Sequence, residues 1–126
     1  MVKKLSRHSV TVTIDKLTKI VTDKGFTLVA RVDHGVAPDK SGLDLLPTEL
    51  LIFGNPKVGT KPIQSQRSIG LDLPLKVLAW EEKDGSVWVA YTDPTYLLAR
   101  HGVADAEPIR KKVTGALAGF TQAATN

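Results

Sequence analysis

The chain has 126 residues, of which 42% are hydrophobic and 24% are charged, a composition typical of one globular domain with a single core. It contains no cysteine, which excludes disulfides, thiolate nucleophiles and cysteine-ligated metals. The net charge of +4 comes from scattered lysines and arginines with few aromatic residues among them, so we expect no nucleic-acid partner.

The amino-terminal segment is basic, but no long apolar run follows it, as a signal peptide would require. No window of the sequence reaches the run of about 18 apolar residues that predicts a transmembrane helix. We therefore expect a protein without membrane contact and with a cytoplasmic location, unless a signal peptide has been trimmed from it.

The first half of the chain predicts a strand, a helix and two further strands. Alternating residues predict strands, and apolar residues three or four apart predict a helix. Thr13 is placed to cap the helix and Gly25 to end it. The predicted elements are, in order, a strand over 7–13, a helix over 14–24, a strand over 26–33, a loop over 34–47 with one helical turn near 36–44, and a nearly all-apolar strand over 48–53.

The second half predicts a β-hairpin among helices. Asp84-Gly85 is a strong turn signal, and Asp105 is placed to cap the last helix. Gly115 and Gly119 in that helix have GxxxG spacing, which indicates close packing on a sheet. The predicted elements are, in order, a short helix over 61–69, a hairpin over 74–92, a short helix over 94–100 and a long helix whose apolar face runs from Ile109 to Phe120.

The order β-α-β-β-β-β-α predicts an α+β fold with one antiparallel sheet and both long helices on one face. The other face would carry large apolar side chains, and a contiguous apolar face usually marks an interface. We therefore expect a homodimer, with cover by the loops over 34–47 and 56–72 as the alternative. The residues assigned to that face are Leu51, Phe53, Leu78, Trp80, Trp88 and Ala90.

Three segments and the pair Asp33-His34 resemble the DUF302 family, a domain of unknown function. The segments are PTELLIFGNP from Pro47, LDLPLKV from Leu71 and VWVAYTDP from Val87. The resemblance runs from about Gly25 to His101 and implies one α+β domain of the TBP-like type over 1–126, with a core of about 7–122. It implies signature positions at His34, Gly54, Asn55, Pro56, Pro74 and Tyr91, but no reaction, cofactor or DNA binding.

The segment 54–61 lies between a strand and a helix, where a phosphate loop would lie. Thr60 precedes Lys61, however, and this reverses the order that a P-loop requires. A weaker anion site remains open, made of backbone N–H groups with Lys57 and Lys61. The alternative is a tight turn in which Asn55 caps its own backbone and Pro56 ends the strand.

Candidate catalytic groups are sparse. His34, at a strand end, either caps that strand or serves as a ligand or proton carrier near neutral pH. The sequence has neither a histidine pair at i, i+4 nor an HExxH motif, so it predicts no metal site. A GxSxG motif is also absent, and no serine has a base beside it in the sequence, which leaves only a base that the fold brings close. The serines considered are Ser41, Ser65, Ser68 and Ser86.

Sheet topology decides whether His34 can join the other candidates. In a plain antiparallel meander, Asn55, Asp72 and Tyr91 lie at one end of the sheet and His34 lies at the other. If 34–47 is a crossover between parallel strands, His34 joins them. The TBP-like fold implied by the resemblance favours the meander.

We expect a non-catalytic module that binds a small molecule or an ion and needs no cofactor. One alternative is an interaction module that dimerises through the apolar sheet face. An enzyme with His34 or Tyr91 as acid or base is a third hypothesis. The predicted ligand-binding residues are His34, Asn55, Lys57, Lys61, Tyr91 and Asp93.

Overall fold

The structure is a computed structural model that describes residues 1–35 and 45–126. The helical turn predicted near 36–44 lies outside these residues. The elements are β1 (Val2–Ser6), α1 (Val10–Asp23), β2 (Thr27–Asp33), β3 (Thr48–Gly54), α2 (Pro56–Ser65), a 3₁₀ helix (Arg67–Leu71), β4 (Leu75–Glu81), β5 (Val87–Tyr91), α3 (Pro94–Arg100) and α4 (Glu107–Thr125).

The five strands form one sheet in the order β1-β5-β4-β3-β2. All neighbouring pairs are antiparallel, so β2 to β5 make a plain meander, and β1 pairs with β5 at the far edge. The α+β prediction with a single antiparallel sheet is therefore confirmed. Because β2 and β3 are antiparallel, the crossover alternative for the connection between them is wrong.

The strand predicted over 7–13 is wrong, and the helix predicted over 14–24 begins earlier, at Val10. The first strand ends at Ser6, and the segment that alternates begins a helix whose cap is Ser9 rather than Thr13. The Ser9 hydroxyl accepts a hydrogen bond from the Val12 N–H at 3.1 Å. Thr13 is fully buried, and its hydroxyl donates to the Ser9 carbonyl at 2.7 Å. Thr13 is polar by residue type although it is buried. Residues 7–13 therefore alternate in polarity as a strand does, and the sequence did not show that Thr13 lies on the buried face of a helix.

The core lies between the sheet and the two long helices, α1 and α4. Gly25 ends the first helix with a φ of +84°, as predicted. The ring of Phe26 then packs edge-on against Phe53 and Phe120, with ring centroids 5.7 and 5.4 Å apart. Fully buried side chains on the sheet and the helices include Ile14, Leu17, Val21, Leu51, Phe53, Val77, Val89 and Leu117.

The sheet face without helices carries only part of the apolar set assigned to it. Leu51 and Phe53 belong to the core instead, so that part of the assignment is wrong. Strand β3 is apolar on both faces, and its sequence therefore does not show which face turns inward. The remaining members do lie on the other face, where Trp80 pairs with Trp88 across β4 and β5. The Lys3 ammonium lies 4.6 Å from the ring centroid of Trp88 and 5.5 Å from that of Trp80.

The hairpin over 74–92 and the helix over 94–100 are confirmed by β4, β5 and α3. The helix predicted over 61–69 is instead two elements, because α2 begins directly after Asn55 and a 3₁₀ helix follows it. Pro62 lies inside α2 and the residues around it are polar, so the sequence did not indicate that this helix begins as early as Pro56.

Two predictions about α4 are wrong. Asp105 does not cap the helix; it has a φ of +49°, and the residue before the helix is Ala106, which makes no side-chain cap bond. Gly115 and Gly119 are exposed, and a Cβ atom at either position would have no neighbour within 4 Å. The GxxxG spacing therefore does not mark close packing on the sheet.

Candidate functional site

An apolar cavity of about 510 Å³ lies at the end of the sheet where β3 and β5 finish. Its walls come from that sheet end, α2, the 3₁₀ helix, α3 and the first part of α4. The side chains that line it are almost all hydrocarbon. They include Phe26, Val58, Pro62, Ile63, Ile69, Leu73, Pro74, Leu75, Leu97, Leu98, Ile109 and Val113.

Two helices that flank the cavity begin in the same way. The Asn55 side-chain oxygen accepts a hydrogen bond from the Lys57 N–H at 2.9 Å, and the Asp93 carboxylate accepts one from the Thr95 N–H at 2.9 Å. Each cap is followed by a proline at the first helical position, where its missing N–H costs nothing. The chain therefore leaves β3 and β5 by equivalent sharp turns, which place α2 and α3 around the cavity.

Two chain segments that line the cavity approach each other closely. A Cβ atom at Gly54 would lie only 3.3 Å from the Cβ of Pro74, and both residues line the cavity. Glycine therefore lets the end of β3 approach the start of β4 at this point.

The predicted ligand-binding residues fall into two groups. Asn55 lines the cavity, while Lys57 and Lys61 are exposed on α2 next to it. Asp93 caps α3 at the same end of the sheet. His34 is exposed at the opposite end, where its backbone N–H donates to the Thr48 carbonyl at 2.8 Å. The six residues therefore do not converge on one site.

Tyr91, the last of the predicted set, belongs to the packed core at this end of the sheet. It is only 7% exposed. Burial raises the pKa of the phenol above its usual range, and the nearby Asp93 charge raises it further, against the effect of a hydrogen bond with Thr121. Tyr91 therefore stays neutral at physiological pH.

A chain of three polar side chains lies beside the cavity and was not predicted. The Ser68 Oγ lies 2.8 Å from His101 Nδ1, and His101 Nε2 lies 2.5 Å from an Asp72 carboxylate oxygen. The three come from the 3₁₀ helix, the end of α3 and the turn before β4. Because 33 residues separate Ser68 from His101, nothing local in the sequence could show the contact.

The ionisation of Asp72 fixes the direction of one of these hydrogen bonds. The hydrogen bond from His101 lowers the pKa of Asp72, although burial opposes this, and the charge of Arg100, whose Nη1 lies 3.4 Å away, lowers it further. An ionised carboxylate only accepts, so His101 Nε2 donates to it. In the neutral imidazole, Nδ1 is then the acceptor for the Ser68 hydroxyl, an arrangement that can polarise the serine O–H bond.

Within residues 1–35 and 45–126, no three His, Asp or Glu side chains converge on a point where they could hold a metal ion. No helix in these two segments is both long enough and apolar enough to cross a bilayer. The chemistry of the described site is therefore that of an apolar cavity with a serine–histidine–aspartate chain at its side.

The family relationship is established over nearly the whole chain. Residues 2–120 match the family described as domain of unknown function DUF302. The fold is similar to the crystal structure of an uncharacterized conserved DUF302 protein from Bacillus stearothermophilus, with a TM-score of 0.85 and 19% identity over 99% of this chain and 97% of that one. The chain belongs to the DUF302 family, and the expected resemblance is confirmed beyond the limits of 25–101 set by its motifs.

Relatives that carry a functional name also match part of their length to this chain. The protein named fluoride-specific ion channel FluC 1 in Brucella suis biovar 1 (strain 1330) is 46% identical over 112 residues, which cover 87% of this chain and 44% of that protein. The protein of the same name in Brucella abortus biovar 1 (strain 9-941) matches equally well, over 42% of its length. The chain thus spans less than half the length of these relatives.

Proposed function

We propose that this DUF302 domain is a binding module for a small, largely apolar molecule held in the cavity. The cavity itself carries the proposal. Its volume of about 510 Å³ is within the range of about 300–1,000 Å³ found for small-molecule sites. Apolar cavities hold water poorly, so an apolar ligand gains contacts there without displacing well-bound water.

The lining favours a small molecule over an ion, the other ligand class expected from the sequence. An anion in this cavity would lose its hydration and gain few hydrogen-bond donors, because Thr27, Asn55 and Thr60 are the polar side chains in a lining that is otherwise hydrocarbon, and this is costly. Lys57 and Lys61 are exposed, and the Asn55 side chain already accepts from an N–H at the start of α2. Neither the lysines nor the helix terminus supports an ion inside the cavity.

The fluoride-channel name of the Brucella relatives fits an accessory role for the shared domain. Fluoride, like any small anion, would need several hydrogen-bond donors, and the cavity walls offer few. A channel also needs segments that span a bilayer, and the described part of this chain has no such helix. We therefore assign ligand binding, rather than conduction of fluoride, to the part that these relatives share with this chain.

Titration with the neutral fluorescent probe N-phenyl-1-naphthylamine tests the cavity directly. Gly59 lines the cavity on α2, and a Cβ atom there would meet nothing within 4 Å. Gly59→Leu should therefore fill the cavity without a clash and weaken probe binding at least tenfold. Gly119→Leu is the matched control, a helical glycine on the exposed face of α4, and should bind as the unmodified protein does.

Two results would overturn this proposal. One is the absence of saturable probe binding to the unmodified protein. The other is an equal loss of binding in Gly59→Leu and Gly119→Leu, which would place the probe elsewhere. Native mass spectrometry of protein purified without chelator should in addition show a retained ligand that Gly59→Leu lacks.

The sheet face without helices supports a second candidate, a homodimer. Trp80 and Trp88 are half-buried there, and Leu5, which pairs with Trp88 across β1 and β5, is 57% exposed. Packing this face against a second copy would bury all three. Sedimentation should then show a dimer that Leu5→Lys dissociates and that Leu71→Lys, at an exposed position beside α2, leaves intact. A monomer at all concentrations up to about 100 µM, well above ordinary dimer affinities, would exclude this candidate.

A further inference from the structure

The hydroxyl of Ser68 combines exposure with a base that is held in place. Ser68 is exposed, whereas the side chain of its partner His101 is only 7% exposed and that of Asp72 22%. With His101 Nε2 donating to Asp72, the neutral imidazole presents Nδ1 as an acceptor 2.8 Å from the serine Oγ. A nucleophile, a base in contact with it and a group that orients the base are the parts that activate a serine.

The three residues are adjacent in the chain to the walls of the cavity. Ser68 is followed by Ile69 and Gly70, and Asp72 is followed by Leu73, all three of which line the cavity. His101 follows α3 one turn after Leu98, another wall residue. The three polar residues themselves are not among the wall residues, so only a ligand long enough to extend from the cavity to this side of the 3₁₀ helix can reach them.

We propose that Ser68 is a nucleophile that accepts the acyl group of a small ester whose apolar part binds in the cavity. This inference rests on the proposed apolar-ligand site and gives that ligand a chemical class, an acyl ester. The relevant groups are Ser68 as nucleophile, His101 as general base and Asp72 as the positioning residue.

The reaction balances with the ester and water alone. The Ser68 Oγ forms a bond to the carbonyl carbon while its proton moves to His101 Nδ1. The bond from that carbon to the alcohol oxygen breaks, and the proton on His101 passes to the departing alcohol. Water then attacks the acyl-serine, His101 takes one of its protons and returns it to Ser68, and a carboxylic acid leaves.

The test is acylation of the full chain by p-nitrophenyl butyrate. Release of p-nitrophenolate should saturate with ester concentration, and N-phenyl-1-naphthylamine should compete with it. Intact mass should rise by one butyryl group, which peptide mapping places on Ser68. Ser68→Ala should abolish the labelling, and His101→Gln should slow it about 100-fold, the scale of a lost general base. Ser86→Ala is the matched control, because Ser86 bonds to Asp84 in the hairpin turn, away from the cavity.

The test of Asp72 must distinguish a role in positioning His101 from a role in the stability of the fold. Asp72→Asn should lower the maximal rate of acylation at least tenfold and change its pH profile, while KM for the ester stays within about twofold. A variant that lowers only the melting temperature and leaves the rate and pH profile unchanged would make Asp72 merely structural and would contradict its assigned role.

The outcomes separate this inference from the proposed function. Probe binding without any acylation of Ser68 would overturn the inference and leave the binding module in place, and the serine–histidine–aspartate chain would then only tie the 3₁₀ helix to α3. Acylation that Ser68→Ala retains, or that the probe does not compete with, would also overturn the inference. Absence of probe binding would overturn both.

Discussion

The two ends of the sheet are completed in opposite ways. Where β2 ends and β3 begins, a buried carboxylate is surrounded by hydrogen-bond donors. Where β3 and β5 end, hydrocarbon side chains surround a space that they do not fill. The same sheet thus has one end centred on a buried, paired carboxylate and another centred on a hydrocarbon-lined space, and the difference distinguishes a region that supports stability from the proposed ligand site.

The ionic end is centred on Glu49, which is 5% exposed. Its two oxygens accept from Arg31 Nε at 2.8 Å and from the Thr11 hydroxyl at 2.9 Å, and Arg31 also reaches Asp15 at 2.6 Å. Burial alone would lower the pKa of Arg31, but its bonds to Glu49 and Asp15 raise it. The network ties α1 to β2 and β3, and both oxygens of the buried carboxylate are paired.

The difference in packing between the two ends of the sheet should give the largest effect on the free energy of unfolding. Leu51 pairs with Arg31 near the ionic end and is fully buried, so Leu51→Ala should lower the free energy of unfolding by about 3–5 kcal/mol. Leu97 borders a space that already exists, so Leu97→Ala removes fewer contacts and should cost about 1–2 kcal/mol. Urea unfolding measures both, and equal losses would mean that the cavity end is packed as tightly as the rest.

Breaking the Arg31–Glu49 pair at the ionic end should give the next largest loss of stability. Arg31→Ala leaves the Glu49 carboxylate buried without its guanidinium and should cost about 2–3 kcal/mol, somewhat below the value for a fully buried pair because Arg31 is 29% exposed. Lys19→Ala is the control: it breaks the exposed Lys19–Asp23 pair and should cost under about 0.5 kcal/mol. Similar urea midpoints for the two variants would show that the network does not support the fold.

Acidification should affect the cavity end through Asp72. Its pKa is lowered in the folded state from an ordinary value of 3.8, so its stabilising effect is complete above that value and is lost as the pH falls through the folded-state pKa. The effect should be at most about 1 kcal/mol, because the carboxylate is partly exposed. Urea midpoints at pH 6 and pH 3 should therefore differ less for Asp72→Asn than for the unmodified protein, and an unchanged difference would refute the assignment.

The smallest effect is expected on the exposed face of α4, away from both ends. Gly115→Ala should stabilise the protein by about 0.5–1 kcal/mol, because the alanine fits the helix and its Cβ meets nothing. Gly85→Ala should instead destabilise by about 1 kcal/mol, because Gly85 has a φ of +87°. Thermal melts compare the two, and a loss for Gly115→Ala would mean that this face is covered in solution.

Periodicity was sufficient for β2 to β5, but it failed for β1 and at positions where burial and polarity disagree. The hairpin, α3 and the ends of β3 carry strong turn and cap residues, and their placement followed from the sequence. Thr13 and the two-sided strand β3 misled because a threonine can be buried and because a strand inside a sheet can be apolar on both faces. The periodicity of apolar residues identifies the buried face of an element only where buried and exposed residues differ in polarity, and at these positions they do not.

The sequence pointed to the end of the sheet where the cavity lies, but not to the cavity. Asn55 and Asp93 lie at that end because they cap the helices around the cavity. The cavity itself results from the spacing of α2, α3 and α4, and no local pattern of residue types indicates that spacing. The contact of Ser68 with His101 depends in the same way on the tertiary arrangement, which a single sequence does not display.

The pairing of β1 with β5 has a consequence for synthesis on the ribosome. Val2 pairs with Tyr91, so β1 is made before the other strands and has no strand to join until β5 has been synthesised. Until β1 pairs with it, the edge of β5 is open, while the local meander of β2 to β5 can already assemble. The last step in forming the sheet is then the return of β1, and a chaperone that holds β1 would control when the sheet is completed.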